Sequence, residues 1–331
     1  MANNLHDILK ERVLVLDGAM GTMLQRNGLK GNSDAFSLTH PEVISTIHRQ
    51  YLEAGADLIT TNTFGAQVIS QYEYGMTDRV EEMNRTSVRL ARQLCDEFTA
   101  QNPAKPRFVV GTLGPTGKML SMSEDVNDPA ARGITFDEME AAYATQIRVM
   151  AEEGVDIVLI ETIFDTLNAK AAISAYMKVK GQRSKAKGLV ELEMRSEELG
   201  MDSFPELMLS LTVSDASGRS LSGQTVEAFV TSVTHANPLA VGMNCGLGAE
   251  GLTPLIRRMS AVAPCYISCH PNAGLPDQEG KYTQTPEAFA IEVSAMLNER
   301  LVNIVGGCCG TTPDHIRQLA EKVAQMGVPR P

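Results

Sequence analysis

The chain lacks any apolar run long enough to cross a bilayer, and its first residues, Met1 to Arg12, are polar and charged rather than leader-like. It also lacks a basic surplus. Its 29 Lys and Arg stand against 40 Asp and Glu, a formal charge of −11, which speaks against nucleic acid or an acidic membrane surface as the general partner. Cysteine is scarce: six in 331 residues are too few for a disulfide framework, and their clustering near the ends of apolar runs fits reduced thiols in the cytoplasm. What is present is a chain that is 43% hydrophobic, enough for a large core, so small organic molecules are the expected partners.

Two of the cysteines are adjacent, in Gly306-Gly307-Cys308-Cys309-Gly310 after the apolar run Leu301 to Val305. Successive side chains on a strand point to opposite faces, so both thiols can serve one site only where strand geometry breaks, which flanking glycines permit. Thr312 as an N-cap and Pro313 in the first turn then open a helix. The run Leu239 to Met243, followed by Asn244-Cys245-Gly246, has the same shape. Cys245, Cys308 and Cys309 at two strand ends suggest a three-thiolate metal site with a fourth position open. A disulfide between the adjacent pair is the strained alternative. Cys265 and Cys269, flanking the seventh strand's core, read as core thiols and, with the mid-helical Cys95, are lesser candidates for the metal.

Eight strand-like runs alternate with helical stretches: Val13–Leu16, Leu58–Thr61, Phe108–Leu113, Ile157–Ile160, Leu207–Val213, Leu239–Met243, Tyr266–Ser268 and Val302–Val305. Helices are expected over Glu42–Ala54, Val80–Phe98, Phe136–Glu153, Leu167–Val179, Val226–His235, Leu252–Ala261, Pro286–Leu297 and Pro313–Met326. The pattern predicts an α/β fold, a single (β/α)₈ TIM barrel over residues 1–331, with functional residues at the C-terminal face of the strands. A doubly wound open sheet is the runner-up, but Gly18-Ala19-Met20-Gly21 makes a poor dinucleotide fingerprint. A charged insertion at about 178–203, basic first and acidic later, interrupts the rhythm and is expected on the opposite, N-terminal face.

The predicted C-terminal strand ends carry Asp17, Thr61, Asn62, Gly114, Glu161, Asp215, Asn244, Cys245, His270, Asn272, Cys308 and Cys309. Helix capping is the bland reading of any one of them; the set points to chemistry. Three thiolates suit zinc and leave it formally anionic, a poor activator of water. A substrate thiol in the open position would still lose its proton, from a free pKa of about 8.5, and become a nucleophile. That chemistry is alkyl transfer to sulfur. Asp17 and Glu161 are candidates for a substrate ammonium, and the Gly18 and Ala19 amides for a carboxylate, which together describe a thiol-bearing amino acid.

With these segments in view the chain resembles the homocysteine S-methyltransferase family, most closely its cobalamin-dependent methionine-synthase branch, from about Arg12 to Val323. The carriers are Asp17-Gly18-Ala19-Met20-Gly21-Thr22, Thr61-Asn62-Thr63-Phe64, Gly114-Pro115-Thr116, Glu161-Thr162, Ser222-Gly223-Gln224, Asn244-Cys245, His270-Pro271-Asn272-Ala273-Gly274 and Gly306 to Gly310. The resemblance implies zinc on Cys245, Cys308 and Cys309 as the catalytic centre. It also implies Asp17 and Glu161 near the homocysteine amino group, and Gly18 and Ala19 near its carboxylate. No histidine has an Asp two positions earlier, so the Asp-x-His-x-x-Gly cobalamin signature is absent. Methylcobalamin, charged from methyltetrahydrofolate, would therefore be supplied in trans by folate- and cobalamin-binding modules or subunits. A self-sufficient methyltransferase using S-methylmethionine or betaine, and a non-catalytic zinc-binding barrel, are the alternatives. Without substrate, water, Asn244, His270 and Asn272 are the candidates for the fourth zinc position, and Asn272 is the expected one.

Overall fold

Each of the eight apolar runs forms a strand in the computed structural model, which describes residues 5–123, 125–191, 204–215 and 217–331, the side chains of 185–191 excepted. The strands are β1 (Leu14–Val15), β2 (Leu58–Thr60), β3 (Phe108–Leu113), β4 (Ile157–Ile163), β5 (Glu206–Leu211), β6 (Ala240–Gly248), β7 (Tyr266–Asn272) and β8 (Ile304–Val305). All pair in parallel in the order β1-β8-β7-β6-β5-β4-β3-β2. The two ends of that order are joined by a parallel bridge from Leu16 to Leu58 and by the Asp17 amide donating to the Leu58 carbonyl at 3.0 Å. The sheet is thus a (β/α)₈ barrel.

Helix α1 (Leu5–Glu11) precedes the barrel; α2 (Met20–Arg26), α3 (Phe36–Thr39) and α4 (Pro41–Glu53) follow β1, and α5 (Val68–Gln71) and α6 (Val80–Gln101) follow β2. One longer helix then follows each remaining strand: α7 (Phe136–Glu152), α8 (Thr166–Glu191), α9 (Val226–Val233), α10 (Ala249–Val262), α11 (Pro286–Asn298) and α12 (Pro313–Met326). Their starts are chemically marked. Thr135 caps α7 in a reciprocal box with Glu138, Thr285 caps α11 ahead of Pro286, and Thr312 precedes Pro313 of α12. The helix expected at Leu167–Val179 runs on to Glu191, so the basic half of the charged insertion belongs to α8; residues 192–203, its acidic remainder, lie outside the described residues.

Strand alternation sorts the core into two layers. Outward-facing Val15, Ile59, Val109, Val158, Leu209, Val241, Ile267, Cys269 and Val305 pack under the helices. Leu14, Leu58, Val110, Leu159, Met208, Ala240 and Ile304 fill the interior, where α1 adds Leu5 and Leu9 near the strands' N-terminal ends. Leu9 is fully buried, worth roughly 1.5–3 kcal/mol. The interior is therefore a packed core. Two residues further along the same faces the chemistry changes: Leu58 gives way to Thr60, Val110 to Thr112 and Leu159 to Glu161, all of which line a cavity at the C-terminal face.

Candidate metal and substrate site

β6 leaves regular geometry just past Asn244. Cys245 and Gly246 both take left-handed backbone conformations (φ +58° and +68°), and the register with β7 shifts between Asn244 and Gly248. A Cβ at position 246 would collide with the Val213 carbonyl oxygen, so only glycine fits there. The kink lets Asn244 remain buried while its neighbour Cys245 lines the cavity. β8 ends at Val305, so Cys308 and Cys309 lie in the turn beyond it, free of strand alternation. That turn is tied to the end of β7: the Cys308 amide donates to the Pro271 carbonyl at 2.8 Å, and the Ala273 amide to the Cys309 carbonyl at 2.9 Å.

The three sulfurs lie within 4.8 Å of one another, the one such cluster of potential metal ligands among the described residues. Cys245 Sγ and Cys309 Sγ are 3.7 Å apart and all six cysteines are free, so no disulfide joins the adjacent pair. The spacing fits tetrahedral thiolates, since Zn–S bonds of about 2.3 Å place sulfurs roughly 3.8 Å apart. Sulfhydryls of Cys308 and Cys309 donating to Cys245 pull its thiol well below the usual range, so one member of the trio is ready to ionise. The Asn272 side chain also reaches Cys245 as a donor, and its Oδ1 is buried without a partner among the described residues. Cys95, Cys265 and Cys269 stay out of the cluster. Burial raises all three thiols; Cys269 sits in the outer core and Cys95 faces the Phe108 carbonyl at 3.7 Å.

Two carboxylates share the cavity. Asp17, buried just past β1, accepts from the Thr60 amide at 2.9 Å and hydroxyl at 3.0 Å, yet burial still drives its pKa well above the usual carboxylate range. Glu161 on β4 keeps some exposure to the cavity, but its enclosure, and secondarily the Cys245 thiolate, push it up to about 8. Neither pairs with Arg, Lys or His among the described residues. Beside them the Gly18 amide has no partner among the described residues, whereas the Ala19 amide donates to Thr311 Oγ1 at 3.1 Å.

The cavity holds about 840 Å³, and its outer lining includes exposed Arg26, Lys281 and Phe64. Tyr282, which also lines it, packs so closely on Gly310 (φ +83°) that a Cβ there would collide with the ring; its hydroxyl reaches Cys309. Sequence reasoning missed Tyr282, because it lies in the aperiodic loop 273–285. It also gave no role to Thr60, which holds Asp17, or to Thr162, a β-branched residue at φ +58°. Such a backbone costs about 1–3 kcal/mol and persists only where surroundings enforce it. Other strand-end residues have local roles. Asn62 donates to the Ser33 carbonyl and Ser37 hydroxyl, Thr61 bonds Thr63 at 2.7 Å, Gly114 lies against Phe64, and exposed Asp215 accepts from the Ser217 amide. His270 lines the cavity floor, buried and kept neutral, with both ring nitrogens unpartnered among the described residues.

The metallated form of the homocysteine methyltransferase MmuM from Escherichia coli superposes with a TM-score of 0.72 at 21% identity, over 96% of this chain and 99% of that one. Its oxidized form gives 0.71 at 20% identity, over 96% and 98%. At these identities the likeness is one of fold. The sequence pattern of the homocysteine S-methyltransferase family, by contrast, matches residues 14–323, from the first residue of β1 into α12. With all eight strands and the cysteine cluster inside that match, the chain belongs to the homocysteine S-methyltransferase family.

Proposed function

We propose that the protein binds one zinc ion on Cys245, Cys308 and Cys309 and methylates homocysteine to methionine, with methylcobalamin as the donor. The observation that carries this reading is the meeting, in one cavity, of three thiols within 4.8 Å of one another and two enclosed carboxylates with no cationic partner among the described residues. Zinc there would supply acidity to the substrate thiol and hold its sulfur as a nucleophile. The chain's own groups do the rest. Asp17 and Glu161 take the ammonium, whose charge would lower both carboxyl pKa values toward the ionised form. The Gly18 amide, beside Ala19 held by Thr311, receives the carboxylate. Asn272, whose side chain reaches Cys245, would complete the ligand set when no substrate is bound, and a neutral amide oxygen would be a weak enough ligand to be displaced by a thiolate.

In the transfer, a sulfur lone pair forms the S–CH₃ bond, and the donor keeps the electron pair of the bond that breaks. The thiol proton leaves on binding. A cavity of about 840 Å³ exceeds what homocysteine alone would fill and leaves room for the donor's reactive face. The resemblance of the site segments to the methionine-synthase branch favours methylcobalamin delivered in trans by folate- and cobalamin-binding modules or subunits. The test is product analysis with homocysteine and a donor panel. Methionine from methylcobalamin is expected. Faster turnover with S-methylmethionine or betaine would replace the donor, and failure to bind homocysteine at all would leave a non-catalytic barrel.

A further inference from the structure

Asn244 is completely buried, and its carboxamide connects parts of the site that come from three different strands. Its orientation follows from its partners. The Thr162 amide can only donate, so the Asn244 atom 3.0 Å from it is Oδ1, which also accepts from Ser210 Oγ at 2.6 Å. Nδ2 then faces Thr162 Oγ1 at 2.9 Å, Glu161 Oε2 at 3.5 Å and Cys308 Sγ at 3.9 Å. The Asn244 carbonyl is held in turn by Thr212 Oγ1 at 2.9 Å. One amide from β6 therefore grips the backbone N–H and the hydroxyl of the strained Thr162, whose backbone aims Glu161 at the end of β4, and touches a sulfur beyond β8.

No other amino-acid side chain reproduces this set of contacts. Aspartate would keep the acceptor face but turn a negative oxygen toward Glu161 and Cys308. Serine would reach neither. We infer that Asn244 is a positioning residue: by fixing Thr162 it sets the Glu161 carboxylate at a defined separation from Cys308, so that the amino and sulfur ends of one substrate are held together. The inference rests on the homocysteine reading above and names the residue that measures the substrate's length.

The test compares the zinc-loaded full chain with Asn244→Ser, Asn244→Asp and Glu161→Gln. Calorimetry measures binding of homocysteine and of its deamino analogue, mercaptobutyrate, and metal analysis follows zinc. The parent should prefer homocysteine by roughly tenfold or more, as loss of a charged hydrogen-bonded contact implies. Asn244→Ser should keep its zinc and bind mercaptobutyrate within about threefold of the parent, yet lose most of that preference, as Glu161→Gln does. If the serine variant fails to fold, Asn244→Asp, which keeps the acceptor contacts that support the fold but turns an anionic oxygen toward Glu161 and so displaces its carboxylate, should show the same loss. A zinc-replete Asn244 variant with the parental preference overturns the positioning role. Loss of zinc from both variants overturns it as well and makes Asn244 a prop of the metal cluster. A parent that binds the two ligands equally removes the homocysteine reading itself, and the inference with it.

Discussion

The sulfurs of Cys245 and Cys309 lie 3.7 Å apart although 64 residues separate them in the chain. They meet because β6 and β8 both flank β7, and each chain segment abandons strand geometry at its C-terminal end. The proposed function depends on that convergence, and its consequences can be measured.

The metal is the first. The purified protein should carry one zinc per chain, and Cys245→Ala, Cys308→Ala or Cys309→Ala should lose it along with activity. The far-ultraviolet circular dichroism should remain, because the two core layers lie below the site. Full zinc content in Cys308→Ala would falsify the assignment.

The carboxylates come next. Asp17→Asn and Glu161→Gln should each weaken homocysteine binding by roughly tenfold or more while keeping zinc, since each removes a charged partner of the ammonium. Homocysteine binding near neutral pH should also release a proton from the thiol, visible as a buffer-dependent calorimetric enthalpy. Parental affinity in both variants would end the ammonium role.

Acid stability should depend in part on His48, which is fully buried in α4 with both ring nitrogens unpartnered among the described residues. Burial lowers its pKa from 6.5 to about 4. The unfolded chain binds a proton below about 6.5 that the folded protein refuses, so this contribution is intact above that pH and is lost as pH falls from 6.5 toward 4. The span corresponds to about 3 kcal/mol. His48→Leu should narrow the difference between urea midpoints measured at pH 7.5 and pH 5. An unchanged difference would show that His48 does not carry it.

The donor can be separated from the acceptor. The isolated chain should not retain cobalamin through gel filtration, yet should form methionine slowly from added methylcobalamin, because encounter is not organised by a tether. Rapid methionine formation from betaine or S-methylmethionine without a corrinoid would assign the donor differently.

The fourth metal position has a spectroscopic signature. X-ray absorption should report three sulfurs and one light atom in the free protein, and four sulfurs with homocysteine. Asn272→Ala should alter only the free-state spectrum. A spectrum with four sulfurs before substrate is added would exclude Asn272.

Much of this was legible in the residues alone. The eight strands are readable because parallel strands buried on both faces must be apolar throughout, as Phe108–Leu113 shows. The cysteine trio is readable because thiols just past such runs sit where a barrel gathers its strand ends. Short helices such as α3 and α5, four residues each, are too brief to display a 3.6-residue repeat. The left-handed turn at Thr162 had no local signal either, since a β-branched residue prefers to avoid it and Asn244, 82 residues away, grips it there. Local sequence pattern reports preferences over a few residues, of backbone and of buried face. Whether Thr311 takes the Ala19 amide from 292 residues away, or Tyr282 lies over Gly310, is decided by barrel closure, which sets β8 beside β1 and brings together side chains with no sequence relation.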